Sequence, residues 1–301
     1  MRMPDGAYRP HENLVATARE KPQIWRLVLG LVVAGFVTFF AGFAMRTVLG
    51  VVSPDFQREL LNPANGEGNT PLTLLLLLFS FGFVILGIFV AARLVQQRSP
   101  LSMIGPLSLA IRQFLRVAGL VIALGVLVMI LPPYDLGEPL EPNLPIGIWL
   151  ALLPISLLAV LTQVASEEIL FRGYIQQSLA ARFRSPLVWM VVPAILFGIG
   201  HYVPAQAGAN AALIAIWAFG FGVMAADITA RAGTLGPAIA LHMINNVTAI
   251  LIVSVPDSLS GLALATTPFS LSETENLRSW MLVDFGFIVV SWLAARLAIR
   301  R

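Results

Sequence analysis

The stretch S-E-E-I-L-F-R-G, residues 166–173, places two adjacent carboxylates at the end of a long apolar run. Residues 146–164, which precede it, contain no charged side chain. A charge inside a bilayer costs about 3 kcal/mol even on the mildest insertion scales, so such residues normally have partners. Arg172 follows Glu168 by four residues, and on a helix the two share a face and can pair. Glu167 has no such local partner, and we expect a group from elsewhere in the chain to meet it.

The composition indicates a protein that crosses a membrane several times. Of 301 residues, 57% are hydrophobic and 12% are charged, whereas a soluble domain has about 25% charged residues. The absence of cysteine excludes disulfides and thiolate chemistry. The net charge of +3 is spread over short loops, where membrane topology explains it. We therefore expect the lipid bilayer, and no nucleic acid, as a partner.

Eight apolar segments are long enough to be membrane spans, and arginines and acids alternate in the loops between them. The loops after the second, fourth, sixth and eighth segments hold most of the arginines, and the other loops hold most of the acids. The positive-inside rule then places both termini in the cytoplasm. The predicted fold is an all-α polytopic membrane helical bundle with about eight transmembrane helices. The segments are 27–45, 72–92, 117–131, 146–171, 187–203, 211–228, 235–255 and 280–297.

Two regions follow from this pattern. Residues 1–22 are polar and are expected to form a cytoplasmic N-terminal tail, in which His11 has no role. Residues 23–301 are expected to form a single membrane domain. Arginine is used almost to the exclusion of lysine, which favours a GC-rich bacterial genome and hence a multi-pass protein of the bacterial inner membrane.

Polar residues recur at helical spacing inside two further apolar segments. Phe197 and His201, and also His242 and Asn246, are four residues apart and share a helix face. Because polar groups in a membrane normally face the bundle interior, we expect Glu167, His201, His242 and Asn246 to converge on one cavity. A carboxylate beside an imidazole can activate a water as a general base. A second histidine and an asparagine can donate hydrogen bonds to a developing oxyanion.

The same residues leave a zinc site open as an alternative. Two histidines and a glutamate form a familiar catalytic zinc ligand set. The local spacing gives this alternative little support, because the sequence contains no H-E-x-x-H and the ligands would come from three helices. We therefore expect no metal or other cofactor, with zinc as the mechanistic variant.

Three motifs in order resemble a known family. E-E-I-L-F-R at 167–172 fits E-E-x-x-x-R, F-G-I-G-H at 197–201 fits F-x-x-x-H, and H-M-I-N-N at 242–246 fits H-x-x-x-N. The trio resembles the CAAX prenyl endopeptidase type 2 family, part of the CPBP (CAAX protease and bacteriocin-processing, Abi) intramembrane proteases. The resemblance covers about 146–255. It implies an eight-helix membrane fold and cleavage of a peptide bond in a peptide or lipidated protein, prenylated CAAX-type termini being the family's best-known target.

The resemblance also implies a role for each motif residue. Glu167 would be the catalytic base that activates water, with His201 assisting it. His242 and Asn246 would stabilise the oxyanion.

The remaining motif residues, Glu168 and Arg172, would be structural supports that hold the helix of the catalytic glutamate in orientation. Two other functions remain open at this stage. One is a non-catalytic membrane scaffold or immunity factor of the same fold. The other is a proton- or ion-coupled transporter that uses the buried glutamate and histidines as a relay.

Overall fold

The computed structural model describes residues 6–60, 68–131 and 139–300, apart from the side chains of residues 59 and 60. Residues 1–5 of the predicted tail lie outside this described part. Within it the chain is almost entirely helical, so the all-α prediction is confirmed. The α-helices are α1 (Glu12–Val15), α2 (Ile24–Val52), α3 (Pro54–Leu60), α4 (Pro71–Ser80), α5 (Gly82–Leu94), α6 (Leu107–Ile130), α7 (Ile146–Glu168), α8 (Gln176–Arg182), α9 (Pro186–Gly200), α10 (Pro204–Ala207), α11 (Ala211–Ala232), α12 (Gly236–Asn246) and α13 (Thr274–Ala298).

The helices account for all eight predicted spans. Six helical segments are long and apolar enough to cross a bilayer. The fifth and seventh predicted spans correspond to two shorter apolar helices, Pro186–Gly200 and Gly236–Ile252. A helix of 15 residues, such as α9, is only about 22 Å long and does not reach across a hydrocarbon core of about 30 Å. Helix α9 alone is therefore too short to cross that core.

Large apolar side chains cover the outside of the bundle. Helix α2 alone exposes Phe36, Phe39, Phe40 and Phe43, each by more than half of its surface. A water-soluble protein does not present a continuous apolar surface of this kind. Together with the six long apolar helices, it indicates an integral, multi-pass membrane protein.

Two helices pass from α-helix into π-helix directly after a polar motif. The segment Ile169–Ile175 is π-helical and joins α7 to α8, so that one helical rod runs from Ile146 to Arg182. The segment Val247–Ile252 is π-helical and extends α12. The helix of the fourth predicted span continues past residue 171, through the first of these π-helical segments. π-helical turns are rare and are frequent at functional sites.

The remaining regular structure is short. Turns of 3-10 helix are formed by Arg9–His11, Thr17–Glu20, Pro100–Met103 and Gly208–Asn210. Three two-residue strands, β1 (Glu141–Pro142), β2 (Val253–Ser254) and β3 (Ala265–Thr266), form a small sheet in the order β1-β3-β2. Strand β1 pairs antiparallel with β3, and β2 pairs parallel with β3. The sheet ties the segment before α7 to the loop that follows the extended α12.

Helices α9 and α11 approach closely because two glycines face the partner helix. A Cβ atom on Gly198 would lie 2.8 Å from the backbone oxygen of Ala215, and one on Gly222 would lie 2.9 Å from the Cβ of Ala194. Small residues at such crossings let helix backbones pack in direct contact, as is common in membranes. This contact sets the distance between α9 and α11 beside the candidate site.

The N-terminal residues are packed against the bundle rather than free. His11 is fully buried, with its ring 4.8 Å from that of Trp189 and its Nε2 atom 3.5 Å from the Gln176 amide nitrogen. Burial, with a smaller contribution from the charge of Arg19, lowers the pKa of His11 from 6.5 to about 3. The expectation that His11 lies in a polar tail without a role was therefore wrong. Three short helical turns bring Val15 and its neighbours into the core, which a count of polar residues does not reveal.

Both ends of the chain meet at one buried carboxylate. Asp227 binds the guanidinium of Arg231 at 2.8 and 2.9 Å. Its Oδ1 atom accepts a hydrogen bond from the Tyr8 hydroxyl (2.7 Å), and its Oδ2 atom accepts one from the Trp292 indole (3.0 Å). Burial and the hydrogen bond to Asp227 raise the pKa of Tyr8. The N-terminal segment and the last turns of α13 therefore lie at the same end of the bundle.

Candidate active site

The first two motifs lie on the two arms of the helical hairpin that α8 and α9 form. Glu167 lies fifteen residues before Arg182, where the hairpin turns, and His201 lies fifteen residues after Pro186, where the chain returns. Both are therefore separated from the turn by the same number of residues. His201 ends α9, and the backbone after it is not α-helical. Irregular backbone inside a membrane is tolerated where it is buried in protein or lines a polar cavity.

A buried ion pair anchors the site. The Nη1 atom of Arg172 lies 2.8 Å from Oε1 of Glu168, and the exposed fractions of the two side chains are 1% and 0%. Arg172 also donates from Nη2 to the backbone oxygen of Gly222 (3.2 Å). Its guanidinium lies 4.8 Å from the ring of Phe197. Hydrogen bonds to charged groups and cation–π contacts compensate for the loss of water around both charges.

The same glutamate also holds a histidine of the third motif. The Nδ1 atom of His242 lies 2.8 Å from Oε1 of Glu168. A carboxylate paired with Arg172 can only accept, so Nδ1 of His242 carries the proton of this bond. The other ring nitrogen, Nε2, is thereby directed away from Glu168. It lies 3.6 Å from Oε2 of Glu167.

One carboxylate oxygen of Glu167 accepts a hydrogen bond, and the other accepts none. Its Oε1 atom accepts a hydrogen bond of 2.7 Å from the side-chain amide of Gln163. Its Oε2 atom is buried and has no hydrogen-bond partner in the described part of the chain. The distance of 3.6 Å between this atom and Nε2 of His242 is too long for a direct hydrogen bond. A water beside the two atoms can bridge them at this separation.

His201 has a defined tautomer but no direct contact with the predicted partners. Its Nδ1 atom lies 2.8 Å from the backbone oxygen of Phe197. A carbonyl only accepts, so Nδ1 carries the proton and Nε2 presents a lone pair. Among the described residues no hydrogen bond or ion pair joins His201 to Glu167. The ring of Phe197 contacts both histidines, with centroids 4.4 Å from His201 and 5.9 Å from His242.

Asn246 joins the site through a residue that the motifs do not include. The Nδ2 atom of Asn246 donates to Oε1 of Gln163 (2.8 Å), and Gln163 in turn donates to Glu167. Sequence reasoning missed Gln163. The signal was present, because Gln163 is a polar residue inside the uncharged run and lies four positions before Glu167, on the same helix face.

Aromatic rings pack against the charged and polar groups of the site. Phe221 lies 4.7 Å from the ring of His242 and stacks on Trp217 with centroids 6.0 Å apart. Phe197 contacts Phe171 edge to face at 5.1 Å. Low polarity around a site strengthens the electrostatic interactions inside it.

The residues offer no ready metal site. Within the described ranges, no three histidine, aspartate, glutamate or cysteine side chains form a group that could hold a metal ion. Glu168 is occupied by Arg172 and His242, and His201 has no polar contact with the other proposed groups. This donor set does not fit a His-His-Glu zinc centre, which needs three ligands around one point.

The comparison with known protein families bears on the same region. Residues 149–248 match the family model described as type II CAAX prenyl endopeptidase Rce1-like. The predicted resemblance to CAAX proteases is confirmed. The Rce1-like region contains the three motifs, the first π-helical segment and Gln163.

The comparisons also found one similar protein. A stretch of 114 residues is 26% identical to the "Uncharacterized protein YyaK" of Bacillus subtilis (strain 168). That match covers 38% of this chain and 38% of the relative. No solved structure matches the chain. The family model and this relative therefore each match well under half of the chain.

Proposed function

We propose that this protein is an intramembrane endopeptidase that hydrolyses a peptide bond with a water activated by Glu167. The observation that carries the proposal is the free Oε2 atom of Glu167. It is buried, lacks a hydrogen-bond partner and faces Nε2 of His242 at 3.6 Å. A carboxylate oxygen in this position can take a proton from a water that lies beside both atoms. The family match of residues 149–248 supports protease chemistry in general.

The reaction needs no side chain as nucleophile. Oε2 of Glu167 removes a proton from the water, and the water oxygen attacks the carbonyl carbon of the scissile peptide. The carbonyl becomes a tetrahedral oxyanion. Glu167 then returns the proton to the peptide nitrogen, the carbon–nitrogen bond breaks, and the products are a carboxylic acid and an amine. The lone pair on Nε2 of His201 can accept a hydrogen bond from the same water.

Two groups are suited to stabilise the oxyanion. Asn246 uses one N–H of its amide for Gln163, which leaves the second N–H for the substrate. His242 can donate from Nε2 in its doubly protonated form, since Nδ1 is already held by Glu168. Removal of one donor of this type commonly lowers kcat by about 10²–10³-fold.

The proposed substrate is a membrane-associated peptide, and CAAX-type lipidated termini are the first to test. The site lies inside the helical layer, so a substrate must reach it from the membrane or along the bundle. The arginine-rich loops favour a cytoplasmic location for both termini and for the hairpin between α8 and α9, and we propose cleavage towards that side in a bacterial inner membrane.

The test is cleavage of a farnesylated CAAX-type peptide by the purified protein in detergent. The wild type is compared with Glu167→Ala and His242→Ala, each with and without a chelator. Glu275→Ala, which removes an exposed carboxylate at the start of α13, is the matched control. The same peptide without the farnesyl group tests the lipid requirement.

The outcomes separate the proposal from its alternatives. Cleavage that is lost in both site variants, kept in Glu275→Ala and insensitive to chelator supports the glutamate mechanism. Loss with chelator and recovery with zinc would contradict it in favour of a metalloprotease. If the wild type cleaves neither peptide, an unbiased set of membrane-tethered peptides decides between another protease substrate and a binding scaffold. A pH-dependent ion flux in liposomes would instead favour a transporter.

A further inference from the structure

Gln163 connects two groups that the motifs assign to different steps of the reaction. It lies one helical turn before Glu167 on α7, and only 7% of its surface is exposed. Its amide nitrogen donates to Oε1 of Glu167 at 2.7 Å. Its amide oxygen accepts from Nδ2 of Asn246, on α12, at 2.8 Å. The nitrogen and the oxygen of this buried amide therefore both form hydrogen bonds within the site.

The direction of these hydrogen bonds follows from the chemistry of the groups. An ionised carboxylate only accepts, so the amide nitrogen of Gln163 must face Glu167. The amide oxygen of Gln163 then faces Asn246, which must present its nitrogen. The oxygen of Asn246 is left to accept from the amide of Asn245, at 3.2 Å. Three amides therefore point their donors in one direction, towards the carboxylate, and such chains strengthen each hydrogen bond.

This chain makes the two oxygens of Glu167 unequal. Oε1 is occupied by the Gln163 amide, whereas Oε2 is buried without a partner and faces His242. Without Gln163, either oxygen of Glu167 could turn towards the water, and the amide of Asn246 would lose its fixed orientation.

We propose that Gln163 is a positioning residue that makes Oε2 of Glu167 the reactive oxygen and couples this base to the amide of Asn246. The proposal rests on the proposed function of the site. Gln163 itself touches neither the water nor the scissile bond, and its effect passes through Glu167 and Asn246.

The variant Gln163→Met tests the proposal, because methionine keeps the length of the side chain and removes both hydrogen bonds. A hydrogen bond to a charged group contributes about 1.5–3 kcal/mol. We therefore expect kcat to fall by about 10–100-fold, with KM changed by less than about threefold. Because the lost donor contacted the carboxylate, the acidic limb of the pH–rate profile should move to higher pH. Asn246→Ala should lower kcat by less in the Gln163→Met background than in the wild type, since the two residues are coupled.

The control is Gln176→Met, which removes a fully buried glutamine from the same helical rod. Gln176 donates to the backbone oxygen of Ala226 and lies outside the site. We expect it to lower thermal stability and to leave the acidic limb in place. If Gln163→Met does not fold, Gln163→Asn takes its place, since its shorter side chain cannot span both partners.

A second readout does not need a substrate. Infrared difference spectra recorded against pH follow the protonated carboxyl band of Glu167, identified by its absence from Glu167→Gln. The band should appear at higher pH in Gln163→Met than in the wild type. A shifted band without cleavage of any peptide would contradict only the proposed function. Cleavage with both the band and the acidic limb unmoved in Gln163→Met would overturn the role of Gln163.

Discussion

The Nδ1 atom of His242 lies 2.8 Å from Oε1 of Glu168, the same carboxylate oxygen that lies 2.8 Å from Nη1 of Arg172. The i, i+4 ion pair of the first motif is thus also the anchor of a histidine from the third motif, on another helix. Glu168 does more than orient its own helix. It holds the ring of His242 so that Nε2 faces Glu167.

The variant Glu168→Gln should be strongly destabilising. It leaves the guanidinium of Arg172 buried without a counter-charge, and breaking one side of a buried ion pair costs about 3–5 kcal/mol. We expect a clearly lower melting temperature in detergent and little activity. Thermal unfolding followed by tryptophan fluorescence measures the first effect.

Glu168 both pairs with Arg172 and positions His242, and the double variant Glu168→Gln/Arg172→Met separates these two roles. Removal of both charges should restore much of the melting temperature, because no unpaired charge remains. Activity should stay at least about tenfold below the wild type, since His242 has lost its carboxylate. Full recovery of activity in the double variant would show that Glu168 acts only through Arg172.

The close contact between α9 and α11 predicts that two glycines respond differently to substitution. At Gly222 a Cβ atom would lie 2.9 Å from the Cβ and 3.0 Å from the Cα of Ala194, whereas at Gly200 no atom would lie within 4 Å. We expect Gly222→Ala to destabilise the protein by about 1–3 kcal/mol through overpacking, and Gly200→Ala to have little effect. Equal melting temperatures for the two variants would contradict the contact.

The buried position of His11 gives a pH dependence with a definite sign. Its pKa is about 3 in the folded protein and about 6.5 in an unfolded chain. Between these values the unfolded chain binds more protons. Stability is therefore complete above about pH 6.5 and falls as the pH decreases towards 3, by up to about 1.4 kcal/mol per pH unit.

The variant His11→Phe tests this dependence and keeps an aromatic ring against Trp189. We expect the melting temperature of the wild type to fall more steeply than that of the variant between pH 7 and pH 5. Parallel curves for the two proteins would indicate that His11 does not titrate on unfolding.

The sequence was sufficient for the helical class and the number of apolar segments, whereas the membership of the site stays a prediction. Apolar length identifies a span, and spacing of four residues identifies which polar groups share a face. Glu167, His242 and Asn246 were expected near one another. In the structure Gln163 joins Glu167 to Asn246, and Nε2 of His242 lies 3.6 Å from Oε2 of Glu167. His201 was expected beside Glu167, and no hydrogen bond or ion pair joins the two among the described residues.

The details that were missed depend on relations between helices. Spacing alone could not tell which of two adjacent glutamates meets His242, because that depends on the rotation of α7 against α12. The π-helical segment 169–175 extends the helix to Arg182, and no simple residue pattern marks it. The burial of His11 likewise depends on a contact with Trp189, far away in the chain.

The most direct test of the central claim is the single-turnover rate of Glu167→Gln relative to the wild type, on a peptide that the wild type cleaves. Glutamine keeps the size of Glu167 and its contact with Gln163 but cannot act as a base. Because general base catalysis contributes about 10²–10⁴-fold, we expect a loss of that size with an unchanged melting temperature. A rate within about threefold of the wild type would contradict the assignment of Glu167 as the base.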